Sequence, residues 1–151
     1  MHSQVAGGKV VSATGRCLCG NVTYALAQAP VAIDVCHCKN CQRQAGAAFI
    51  PFVAVPLSDL SVTGQPKVFV DNDTVSGNLV ERHFCGDCGS PIYVVVDRAP
   101  NTAYVTSGTL DKTEGLRPKC HGWTCTKHDW VSIVDGASEY EADPGLQPEG
   151  V

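Results

Sequence analysis

Cys36-His37-Cys38-Lys39-Asn40-Cys41 (CHCKNC) places three thiols within six residues. Two further groups of the same kind lie on either side: Cys17-Leu18-Cys19-Gly20, and Phe84-Cys85-Gly86-Asp87-Cys88-Gly89. Seven of the nine cysteines therefore stand in three tight groups, whereas buried free thiols used as small hydrophobes would be scattered. An odd count excludes complete pairing within the chain. The opening stretch MHSQVAGGKVVSATG has no apolar core of a secretory signal, so the expected compartment is the reducing cytoplasm, where structural disulfides are rare. Clustered thiols in that setting point to metal.

Thiolates bind zinc tetrahedrally at about 2.3 Å. A Cys-x-x-Cys-Gly turn aims two sulfurs at one ion, and 85–89 has that form; Cys17 and Cys19 offer a second, tighter pair. The two pairs together make one closed four-thiolate site. Its binding energy is folding energy, about 10–16 kcal/mol in small zinc peptides, more than the net stability of a typical domain. Cys36, Cys38 and Cys41 are left with three ligands and one open position, the arrangement of a catalytic zinc. A second closed site, completed by His37, Cys120, His121 or Cys125, satisfies the same spacing.

Around these groups the chain reads as one mainly β domain. Its 151 residues suit a single core, with 44% hydrophobic and 17% charged residues. A net charge of −4 and the lack of Lys/Arg-rich tracts argue against a nucleic-acid partner, and no apolar run approaches a membrane span. Strands are expected over 21–27, 31–35, 48–55, 67–71, 78–84, 91–97 and 102–108, with Pro51 marking an edge or a bulge. Segment 129–136 reads as a last strand or a short helix, and 39–47 carries the one helical hint. Flexible segments are expected at 1–14 and 141–151, around a domain at 15–140.

Taken together, GRCLCGNVTY (15–24), CHCKNCQRQAGA (36–47), RHFCGDCGSPIY (82–93), SGTLD (107–111) and Trp130 resemble the glutathione-dependent formaldehyde-activating (GFA) family, which shares its domain with centromere protein V. The resemblance implies an Mss4-like fold of small antiparallel sheets organised around zinc. It implies two ions per chain: a structural one on Cys17, Cys19, Cys85 and Cys88, and a catalytic one on Cys36, Cys38 and Cys41. It also implies a carbon–sulfur lyase that joins glutathione, or a similar thiol, to formaldehyde or another small carbonyl.

Several residues add detail to that expectation. His37, inside the trio, is a candidate proton shuttle or hydrogen-bond donor to the site; the alternative is a turn residue pointing away. Lys39, Arg43, Arg82 and Lys119 are candidates for the carboxylates of glutathione, with Arg82 foremost. Trp123 and Trp130 read as packing residues. The segment RPKCHGWTCTKHDW (117–130) departs from the family pattern in Cys120, Cys125 and the Gly122-Trp123 that follows His121, so the substrate could differ. Because fold does not fix function, a different enzyme on this scaffold, or a non-catalytic zinc module that binds a partner, are the competing readings.

Overall fold

A computed structural model describes residues 4–6 and 9–144. Parts of both flexible ends expected from the sequence, in 1–14 and 141–151, therefore lie outside the described residues. In chain order the elements are β1 (Gln4–Ala6), β2 (Lys9–Val11), β3 (Ala13–Arg16), β4 (Thr23–Leu26), β5 (Ala32–Cys36), α1 (Lys39–Ala45), β6 (Ile50–Pro56), β7 (Leu60–Thr63), β8 (Lys67–Asp71), β9 (Val80–Phe84), β10 (Pro91–Val96), β11 (Ala99–Thr106), β12 (Arg117–Gly122) and β13 (Ser138–Glu139). The mainly β expectation holds, and the helical hint is α1.

Three sheets result: β1-β2, β3-β4-β7, and an eight-stranded sheet in the order β13-β12-β5-β6-β11-β10-β9-β8. Pairing is antiparallel except at one edge, where β12 runs parallel to both β5 and β13. Neither β3 nor β7 is apolar enough to stand out in the sequence; each forms by pairing with β4. Likewise β12 carries Pro118 and no alternating pattern, and it is held by its register on β5.

Two sequence expectations are corrected. Pro51 lies in a central strand, β6, rather than at a sheet edge; it sits one residue beyond the last β6–β11 pair, Thr106 with Phe52, so on that side there is no ladder bond for its missing N–H to break. Segment 129–136 is neither strand nor helix. Its polar groups are satisfied locally: the Lys127 ammonium donates to the carbonyl of Val131 (2.7 Å), and the N–H of Ala137 donates to Asp135 Oδ1 (2.9 Å).

The period of two along β6 and β11 divides the molecule. Val53, Val55, Ala103 and Val105 point to one side and pack with Val22, Tyr24 and Leu26 from the three-stranded sheet. Phe52 and Ala54, with Thr102 and Tyr104, face the other way and line a cavity. Gly15 is required where the two sheets meet, because a Cβ there would run into the Tyr24 hydroxyl and the Thr109 carbonyl. The Tyr24 hydroxyl is itself bonded to Thr109 Oγ1 at 2.7 Å. Gly15→Ala is expected to cost about 1–3 kcal/mol by overpacking, read as a lowered urea midpoint with an unchanged slope.

Candidate metal centres

Two turns of matching form carry the first thiol group. In the β3–β4 turn the N–H of Gly20 donates to the carbonyl of Cys17 (3.2 Å), and Gly20 has φ 84°. In the β9–β10 turn the N–H of Gly89 donates to the carbonyl of Cys85 (2.8 Å), and Gly89 has φ 79°. Both glycines occupy the left-handed region that side chains disfavour, which lets each turn fold back toward its sulfurs. The turns meet: Cys17 Sγ lies 3.6 Å from Cys19 Sγ, which lies 3.7 Å from Cys85 Sγ. Cys17, Cys19, Cys85 and Cys88 have all four sulfurs within 4.8 Å of one another. The Ser90 hydroxyl, 3.3 Å from Cys88 Sγ, is the largest of several hydrogen bonds that bring the Cys88 thiol down to about 5.

The second group is built at the β5–α1 junction. Cys36 ends β5, Cys38 is the N-cap of α1, and Cys41 lies in its first turn. Cys38 Sγ accepts the N–H of Cys41 (3.3 Å), so capping itself turns two of the sulfurs together. The three sulfurs lie within 4.8 Å of one another. Hydrogen bonds from Cys36 and then Cys41 hold the Cys38 thiol down at about 2, while those with Cys38 and then Cys41 push Cys36 well above its ordinary value. The trio thus behaves as one proton-sharing unit. Soft sulfur donors in sets of four and of three fit ions such as zinc.

Only the second group faces the cavity. Cys36, Cys38 and Cys41 line a space of about 440 Å³, a size suited to a small molecule, and none of the other four cysteines does. Cys120 also lines it, donating to Asp34 Oδ1 (3.2 Å); burial and that carboxylate push its thiol up to about 12. Cys125 is exposed and outside both thiol groups.

His37 is fully buried and is not among the cavity-lining residues. Its Nε2 lies 2.9 Å from His121 Nδ1, and His121 Nε2 lies 2.8 Å from Asp135 Oδ2. Burial first, then the neighbouring charges of His121, Lys127 and His128, hold its pKa at about 4. With His121 donating to Asp135, the network assigns the His37 proton to Nε2; its buried Nδ1 has no partner, as a bare lone pair would. The His37 carbonyl accepts from Gln42 Nε2 (2.7 Å) and from Thr126 Oγ1 (2.9 Å).

Of the cations considered for carboxylates, Arg43 is exposed and does not line the cavity. Arg82 does, but it is buried and occupied: Nε donates to Asp71 (2.9 Å), and Nη1 donates to Gln44 Oε1 (2.7 Å) and Cys41 Sγ (3.8 Å). Trp130 is exposed, its indole donating to His128 Nδ1, whereas Trp123 lines the cavity. Sequence reasoning did not find Asp71, Gln44, Gln42 or Asp135, each an ordinary polar residue whose role comes from a long-range contact.

A fold with one thiol cluster at the junction of two sheets and another facing a cavity matches a known family. Residues 12–126 match the family model described as glutathione-dependent formaldehyde-activating enzyme, and the chain belongs to that family. A Halomonas elongata protein provisionally named a glutathione-dependent formaldehyde-activating enzyme is 27% identical over 124 residues, covering 79% of each chain. An uncharacterized lyase of Schizosaccharomyces pombe is 26% identical over 133 residues, covering 85% of this chain and 90% of its own. The crystal structure of a Rhodobacter sphaeroides protein superposes with a TM-score of 0.52 at 18% identity, over 84% of this chain and 98% of that one, a likeness of fold. No helix among the described residues is long and apolar enough to cross a membrane.

The Arg82–Asp71 pair is testable by stability. Arg82→Ala leaves a buried carboxylate without its counter-ion and is expected to cost about 3–5 kcal/mol in urea unfolding. The neutral double variant Arg82→Gln with Asp71→Asn is expected to recover part of that loss.

Proposed function

We propose that this chain is a zinc-dependent carbon–sulfur lyase of the GFA type, joining glutathione or a similar thiol to formaldehyde or another small carbonyl. The observation that carries the reading is the asymmetry of the two clusters: one thiol group joins two sheets and the other opens onto the cavity. On this reading Cys17, Cys19, Cys85 and Cys88 hold a structural zinc, and Cys36, Cys38 and Cys41 hold a catalytic one. A zinc held by Cys36, Cys38 and Cys41 would supply one thing there, a preference for the thiolate form of an incoming thiol, which is the nucleophilic form.

The remaining work falls to the chain. In the reaction the thiol sulfur forms a bond to the carbonyl carbon, the C=O π bond opens, and the thiol proton ends on the new hydroxyl. Cys36, Cys38 and Cys41 fix where the reacting sulfur sits, and the cavity limits what can reach it. His37 acts as a positioning residue: its ring is tied to His121 and its carbonyl to Gln42 and Thr126, so the backbone between Cys36 and Cys38 is clamped on its far side. The Arg82 guanidinium, 3.8 Å from Cys41 Sγ, offsets negative charge on the trio. A reducing cytoplasm suits a chain that works through thiolates.

The purified protein is expected to carry about two zinc ions per chain. Cys88→Ser is expected to lose an ion and aggregate, and Cys38→Ser to stay folded with one ion and no activity. Exchange NMR on glutathione and formaldehyde tests the activity. The protein should speed interconversion with S-(hydroxymethyl)glutathione beyond the spontaneous rate; no acceleration with any of a panel of thiols and small aldehydes would reject the reading.

A further inference from the structure

The walls of the cavity do not suit a one-carbon substrate. Away from the trio its floor is Phe52, Val94 and Val96, apolar side chains of the central strands, with Ala54 and Tyr104 beside them. Val75, on the loop between β8 and β9, is 85% exposed at the rim, an apolar side chain left in water beside an apolar wall. Its charged lining residues are Asp34, Lys39, Arg82, Lys119 and Asp143, and the three cations among them already have partners. Arg82 is engaged by Asp71, Gln44 and Cys41, and Lys119 lies 3.5 Å from Asp34. Lys39 sits on Gln42 Oε1 (3.4 Å), and both lysines are exposed at the mouth. A charged tripeptide can reach cations there but not on the floor.

Trp123 points the same way. It is the one non-glycine residue with positive φ among the described residues, at 58°, a conformation that is costly for a bulky side chain. It is held there by its N–H donating to the carbonyl of Ala142 (2.9 Å) and by its carbonyl accepting from the N–H of Thr126 (3.1 Å). Gly122 before it leaves room for Pro144, which a Cβ would strike. Strain maintained in this way sets an indole in the cavity wall.

We propose that the floor of the cavity and Trp123 hold the apolar substituent of the carbonyl substrate, so that the preferred partner of the thiol is an aldehyde bearing several apolar carbons rather than formaldehyde. The inference rests on the lyase reading and names the substrate class of that same site. Bonds balance as for formaldehyde: sulfur adds to the aldehyde carbon and the thiol proton passes to oxygen, with no change of oxidation state. Formaldehyde would leave the apolar floor against water, whereas each buried methylene of a longer aldehyde contributes to binding.

The test uses the full chain carrying Trp130→Phe, which leaves Trp123 as the sole indole. Unreactive alcohols are titrated against its fluorescence. 1-Hexanol is expected to bind about fourfold tighter per added methylene than 1-propanol, roughly sixtyfold in all. In exchange NMR with glutathione, kcat/KM is expected to be higher for hexanal than for formaldehyde, and Ala54→Phe, which fills the cavity from an exposed position, should lower that ratio. Equal affinity for both alcohols, or a ratio that Ala54→Phe does not move, overturns the proposal while leaving the lyase reading intact if formaldehyde exchange is accelerated. Tight hexanol binding with no acceleration by either aldehyde overturns instead the lyase reading and, with it, the aldehyde as occupant.

Discussion

The contact on which the rest depends is that between two small turns far apart in sequence. Cys17 and Cys19 close β3 onto β4, Cys85 and Cys88 close β9 onto β10, and the two turns meet where Cys19 Sγ lies 3.7 Å from Cys85 Sγ. That contact pins the three-stranded sheet to the eight-stranded one, and Cys17 and Cys85 are themselves part of the core between the sheets. Around them pack Val22, Tyr24 and Leu26 from one sheet and Val53, Ile92, Ala103 and Val105 from the other. Ions bound at such a junction act as part of the core, because their binding energy is realised only when both turns are in place.

Alternation along β6 and β11 then turns one sheet to two uses. The residues facing the three-stranded sheet satisfy folding. Those facing away, Phe52, Ala54 and Tyr104, are free to shape a cavity, and β5 delivers Asp34 and Cys36 to that same face through its pairs with Phe52 and Ile50. The intervening Val35 is buried, and His37, one residue past Cys36, lies on the far side. So the segment that supplies the trio is packed on one face and open on the other, which is why it can be rigid without being closed.

How much of this was legible in the sequence follows from the range of the interactions. Cysteine spacing and flanking glycine are local, and they pointed to both thiol groups and to the division into four and three. Runs of β-branched and aromatic residues, such as 91–97, were equally plain. Strand β12 was not, because RPKCHG has no pattern of its own and owes its conformation to a parallel neighbour some 85 residues away, with Cys120 opposite Asp34. Arg82 illustrates the opposite error. Its charge, next to a zinc-type turn, suggested a group for binding carboxylates, but Asp71, eleven residues earlier on the paired strand β8, already holds it. With Nε and Nη1 bonded to Asp71, Gln44 and Cys41, the guanidinium is committed first to holding the site together.

The same strand β12 serves both the cavity wall and the contacts behind the trio. Cys120 and Gly122 reach the cavity, as does Lys119 at the irregularity in the pairing with β5, while His121 turns to His37 and Asp135 behind the trio. A change at 120, 122 or 123 therefore reshapes the wall that a substrate meets and leaves the clamp on the trio in place. A change at 121 does the reverse. Cavity wall and clamp are thus carried by neighbouring residues of one short strand, so the shape of one can change without loss of the other.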